Sequence, residues 1–254
     1  MLDLIVCECM KLRRRRLFQL AVATAFFFPL ALSLFFARNT QTFVRVQSTA
    51  YQFTGFLLQI PLLAVLAMQL LFEEADCGAL KNLLAVPVPR AALCGAKLLV
   101  LLFFSVIYSL TGFGVCAAIS LLRGLSMEAW ATHLLVSVEF GALCFCAAMP
   151  CIALLVWLNR SAVVCVLLTF FYTIVDYGLG TNGLIICVPF GLNAGSLLPV
   201  AVMQRYINAY FGFSSYFERI SPYLLSPAVA LTVLGAEALL CYAIACRGFR
   251  RLAA

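Results

Sequence analysis

Long apolar runs separated by short clusters of charge make up almost the whole chain, and their lengths predict its elements. Leu17 to Ala37, Phe53 to Phe72, Leu98 to Leu122, Leu134 to Leu158 and Tyr223 to Cys246 each read as a membrane-crossing helix, with Ala162 to Leu179 a shorter but sufficient sixth. Crossing the hydrocarbon layer takes roughly 20 apolar residues. Two segments break this uniformity. Leu2 to Leu12 mixes Leu4, Ile5, Val6, Met10 and Leu12 with Asp3, Glu8 and Lys11, a pattern that predicts an amphipathic helix lying along the inner surface. Arg13 to Arg16 then sit at the headgroups, or serve only to orient the first span. The second break is 73–90. A helix is expected from Glu73 to Val86, with Glu73, Glu74 and Asp76 near its N-terminus and Lys81 further along, as the macrodipole favours. Leu80, Leu83 and Leu84 share one face at i, i+3, i+4 spacing, and Pro87 and Pro89 end the helix because proline cannot continue the ladder. Such a rod suits the grip of a soluble partner; a passive helix at the headgroups fits the same pattern.

Composition changes the solvent. The chain has 254 residues, 65% hydrophobic and 11% charged, with mean hydropathy +1.08, against about 25% charged in a soluble domain. A water-facing surface cannot be built from this, so the expected fold is all-α and integral to the membrane, one domain over 1–254. Leu17 to Ala37 is too long for a secretory signal core and has no cleavage site after it, so it reads as a retained span. The twelve cysteines include no CxxC pair and fall mostly inside spans, which favours small apolar packing residues over a disulfide framework.

Charge sets the orientation. The net charge of +7 clusters beside spans and is not a nucleic-acid signal. Twelve basic residues (Lys11, Arg13 to Arg16, Lys81, Arg90, Lys97, Arg160, Arg247, Arg250 and Arg251) go inside, against five outside (Arg38, Arg45, Arg123, Arg205 and Arg219), a positive-inside bias. Both termini are then cytoplasmic and the number of crossings is even. That parity decides Gly183 to Met203, which is span-length but carries Pro189, Asn193, Pro199 and Gly191-x-x-x-Gly195. It reads as a re-entrant or interfacial helical pair within an outer segment, 180–222. Such backbone is tolerated at membrane depth only where protein or a water-filled cavity shields it. Tyr206, Tyr210, Phe211, Phe213, Tyr216 and Phe217 follow, a density expected at the interface.

Candidate chemistry is sparse. There is no phosphate loop, no HExxH and no G-x-S-x-G, and a lone His133 cannot make a metal site. No catalytic or metal-ligating residue is assigned. Three acids lie in or near spans: Glu139, Asp176 and Glu237. A mid-bilayer charge costs roughly 2.5 to 3.5 kcal/mol on insertion scales and so faces protein or water. Glu237, the deepest, is a substrate-path residue or a protonated, hydrogen-bonded packing residue; the same alternatives hold for Glu139. Asp176 is near enough to the interface to anchor a loop. A different class, an integral-membrane enzyme acting on lipid through these carboxylates, stays open from the residues alone.

The segment between the second and third spans closely resembles that of ABC-2 permeases, the membrane subunits of one class of ABC transporter. Their pattern is Glu, three residues, Gly-Thr, one residue, Lys, then Leu-Leu, Pro-Val/Ile-Ser-Arg and a later Lys. Glu74, Gly78, Lys81, Leu83, Leu84, Pro87, Val88, Arg90 and Lys97 match it, while Ala79 and Pro89 depart from the usual Thr and Ser. The basic N-terminal stretch, the six spans and the long segment before the last span are also typical. The resemblance implies a cytoplasmic coupling helix formed by Glu74, Gly78, Leu80, Lys81, Leu83, Leu84, Pro87 and Arg90, with Lys97 following. It implies two copies of a separate ATPase that uses ATP and Mg, no cofactor on this chain, and pairing with a second permease as a homodimer or heterodimer. It implies a path at the pair interface lined by spans one, two and five, and a multi-pass location in the bacterial cell membrane. In size the chain resembles permeases of lantibiotic immunity and bacitracin resistance, which expel antimicrobial peptides.

Overall fold

The computed structural model describes residues 2–36, 42–76, 90–158, 162–187, 197–211 and 221–252, and among these every regular element is helical. Six helices are long and apolar enough to cross a membrane. After a short α1 (Leu2–Arg13) come α2 (Arg16–Phe36) and α3 (Phe43–Ala50). The latter runs through a π-helical stretch, Tyr51–Gln59, into α4 (Ile60–Asp76). The chain continues with α5 (Arg90–Leu122), α6 (Trp130–Leu158), α7 (Ala162–Gly180), the single turn α8 (Gly183–Ile186), α9 (Pro199–Phe211) and α10 (Pro227–Leu252).

The element types follow the apolar runs; the ends are set by what the flanking polar residues find to bond. The second span begins ten residues before the expected Phe53, because the Gln47 amide nitrogen finds acceptors inside the bundle. The Nε2 of Gln47 donates to the Tyr51 hydroxyl at 2.8 Å and reaches the Ser137 Oγ and the His133 carbonyl at 3.3 Å, while Arg45 on the opposite face is exposed. The third span begins at Arg90 rather than Leu98 and absorbs Lys97. At 33 residues and 1.5 Å per residue it is about 50 Å long, so it projects well beyond a hydrocarbon core of about 30 Å. The last span starts at Pro227 rather than Tyr223: Ser221–Tyr223 forms a 3₁₀ turn, and proline suits the first helical position, where its missing N–H costs nothing.

The second, third and fourth spans are more than half buried, whereas less than a third of the first, fifth and sixth is buried. The helix α6 packs on α4, α5 and α10. Its contact with α5 is close because Gly141 has no side chain: a Cβ there would lie 2.7 Å from the Val106 Cα and 2.9 Å from the Ser105 carbonyl oxygen. Lipid gives little drive for helices to associate, so small residues and interhelical hydrogen bonds supply it. Gln59 donates to the Ser105 carbonyl at 2.8 Å, the Ser105 hydroxyl donates to the Gly141 carbonyl at 2.6 Å, and the Ser109 hydroxyl donates to the Ser137 carbonyl at 2.7 Å. The outward faces of α2, α7 and α10 carry Phe27, Phe35, Leu167, Phe171, Leu239 and Leu240, all exposed, which a bilayer solvates and water would not.

The chain before the last span is enclosed by protein. Tyr206 and Phe211 are both buried, in a helix that is buried from Pro199 to Ile207. Arg205 is also inside, its Nε donating to the Ile186 carbonyl at 2.9 Å, so that it holds the end of α8 against α9.

Candidate functional site

Two places in the bundle gather charge that an apolar core would otherwise exclude. The first is built by α1. Its apolar side packs on the bundle, with Leu12 buried, and this carries Glu8 on the same turn into contact with α5. The Nζ of Lys97 lies 2.7 Å from the Glu8 Oε2, and the Nζ of Lys11 2.8 Å from its Oε1. Glu8 and Lys97 are each only 1% exposed. Gln69 and Leu70, in the last turns of α4, face the same hollow as Glu8, Lys11, Leu12 and Lys97. So α1 sits where α4 ends and α5 begins, at the end of the bundle that bears 77–89.

Of the residues assigned to the coupling segment, Gly78, Leu80, Lys81, Leu83, Leu84 and Pro87 lie outside the described residues, as do the side chains of Glu74 and Arg90; Glu74 is in the final turn of α4 and Arg90 opens α5. Lys97 is described, and it is neither solvated nor on a loop surface but buried against Glu8. Glu8 was missed as a site residue. Its only sequence signal was one acid among the apolar positions of an amphipathic helix, and nothing local names its partner. Burial and the Glu8 carboxylate raise the thiol of neighbouring Cys9 above its ordinary value.

The second place involves the three acids. Asp176 (α7) and Glu237 (α10) line one open cavity of about 470 Å³, bordered by Pro150 and Leu154 of α6, by Leu198 and by Pro199 at the start of α9. Both oxygens of Asp176 and the Oε2 of Glu237 are buried with no protein partner in hydrogen-bond geometry. Asp176 is only 3% exposed, so it does not anchor a solvated loop. Glu139 does not line that cavity; it accepts a hydrogen bond from the Tyr206 hydroxyl of α9, which fits the packing alternative. His133 is half-buried, edge-on to Phe43 and stacked on Phe211. Among the described residues no group of three His, Cys, Asp or Glu could hold a metal ion, and the described cysteines are free thiols.

Six apolar helices with polar groups turned inward define a multi-pass integral-membrane protein. Residues 4–176 match the family described as ABC-2 family transporter protein. That is more than half of the chain, and the chain belongs to this family; it is a transmembrane subunit of an ABC transporter. The match takes in the first four spans, most of the fifth and the 73–90 segment, and stops before α9 and α10. No curated protein matches the chain.

Proposed function

We propose that this chain is a permease subunit without catalytic residues of its own, which a separate ATPase grips at 73–90 and which moves a hydrophobic or amphipathic substrate, of the kind represented by antimicrobial peptides, out of a bacterial cell membrane. Two ATPase copies, using ATP and Mg, and a second permease complete the machine. The observation that carries this reading is the family match across the loop that holds the Glu74 to Lys97 pattern. The α1 foot supports it. A partner pressing on 73–90 pushes on the ends of α4 and α5, and the buried Glu8–Lys97 contact ties α1 to the same point, so the load reaches three helices. The expected apolar anchors are Leu80, Leu83 and Leu84, with Glu74 and Lys81 fixing orientation.

The test is Leu83→Ala with Leu84→Ala. Truncating buried interface anchors commonly costs about 2 kcal/mol or more, so copurification of the neighbouring ATPase and substrate-stimulated ATP hydrolysis both fall, while membrane insertion is unchanged because no span is altered. Full retention of both in the double variant leaves 73–90 a passive surface helix.

A further inference from the structure

The cavity between α6, α7 and α10 places two carboxylates against an otherwise apolar wall. Asp176 and Glu237 act on each other electrostatically. No lysine, arginine or histidine lines the cavity among the described residues. The backbone N–H of Val200 and the Tyr172 hydroxyl are turned toward Asp176, short of strict hydrogen-bond geometry. The Tyr172 hydroxyl already donates its one proton to the Ala147 carbonyl at 2.9 Å. The Val200 amide, in the first turn of α9, brings a positive helix end but no full charge. Intramembrane carboxylates face a partner or a pathway, and an acid buried in apolar surroundings either holds its proton or takes a counter-charge; a bound cation supplies the second.

We propose that this cavity is a binding site for a small organic ammonium ion with an apolar body, and that such lipophilic amines are a substrate class of the transporter; the second half rests on the permease reading above. An ammonium group carries three donors, enough for the free oxygens of Asp176 and Glu237 together. The apolar body fills the rest, against Leu154, Leu168, Phe171 and Leu198. The volume, about 470 Å³, falls in the range of small-molecule sites, roughly 300 to 1,000 Å³, and is too small for a folded peptide. A bare metal cation does not fit: calcium takes 6 to 8 oxygen ligands, and the wall is mostly carbon.

The test needs no ATPase, so its failure is separable from failure of the permease reading. The full chain is reconstituted in phosphatidylcholine nanodiscs and titrated with a fluorescent alkylamine and with its N-acetylated, uncharged counterpart. The amine binds the wild type at least about tenfold more tightly than the acetylated form, and Glu237→Gln and Asp176→Asn each remove about tenfold or more of that preference, as loss of one member of a desolvated charge pair does. The double variant binds both probes alike. Melting temperature is followed in parallel; if Asp176 only caps α9, Asn substitutes for it with amine affinity unchanged. Equal binding of the two probes by the wild type overturns the proposal, as does unaltered amine preference in Glu237→Gln, whose half-buried side chain makes it the safer variant to fold. Replacing part of the phosphatidylcholine with phosphatidylethanolamine separates two sources of the same chemistry. Competition assigns the site to a lipid amine and no competition assigns it to a free one, and each result retains an ammonium site.

Discussion

Glu8 and Lys97 are 89 residues apart in sequence and 2.7 Å apart in the fold, and the pair shows how a single residue holds an element in this bundle. Both are removed from solvent, and Glu8 also holds Lys11 at 2.8 Å, so losing either member of the buried pair leaves the other with less compensating charge. Removing one partner of a buried ion pair costs about 3 to 5 kcal/mol, chiefly because the survivor is left charged and unsolvated, whereas replacing both with apolar residues of similar size is often neutral. Glu8→Leu alone is therefore expected to lower the melting temperature of the detergent-solubilised protein strongly. Glu8→Leu combined with Lys97→Met is expected to recover most of the loss. A double variant no better than the single would mean that the contact works through something other than paired charge.

At the scale of elements, contact depends on how closely backbones approach. The α5–α6 contact has no room for a methyl group at Gly141, where the obstacles are the backbone of Val106 and the Ser105 carbonyl rather than a movable side chain. Gly141→Ala is expected to cost about 1 to 3 kcal/mol, the usual penalty of overpacking. Gly235→Ala on α10 meets nothing within 4 Å, and is expected to be neutral or stabilising by about 0.5 to 1 kcal/mol through helix propensity. Thermal unfolding of the two variants side by side checks this; equal melting temperatures would remove close packing as the role of Gly141. The π-helical stretch is a second case. Tyr51, Gly55 and Gln59 recur every four residues and are all buried, a spacing that the wider π turn keeps on one line better than 3.6 residues per turn does. A reading by α-helical period alone passes over it.

For the whole molecule, we propose from the charge count of twelve against five that both termini lie on the cytoplasmic side. In a cysteine-free background, Arg251→Cys is expected to react with a membrane-impermeant maleimide only after the membrane is opened. Reaction in intact cells would overturn this orientation. The arrangement of spans bears on the transport path as well. The path implied by resemblance runs along spans one, two and five, yet Asp176 and Glu237 line a cavity between spans four, five and six, and Glu139 is engaged with Tyr206. The three acids do not form one line.

Composition and apolar run length determined that this chain is helical and lies in a membrane, because the hydrocarbon layer imposes a length and forbids unpaired backbone whatever the neighbouring helices do; the count of six spans also needed charge parity to set Gly183 to Met203 aside. The charged segment at 73–90 was legible for the same reason: it is the place where a long apolar chain turns amphipathic between spans. Helix ends were less legible, since Gln47 and Lys97 look like boundary residues until their partners are known. Which acids face each other, that Lys97 is paired rather than solvated, and that Tyr206 and Arg205 are buried were decided only by tertiary structure. Each depends on a residue tens of positions away, and a buried charge carries no mark in sequence of the group that neutralises it.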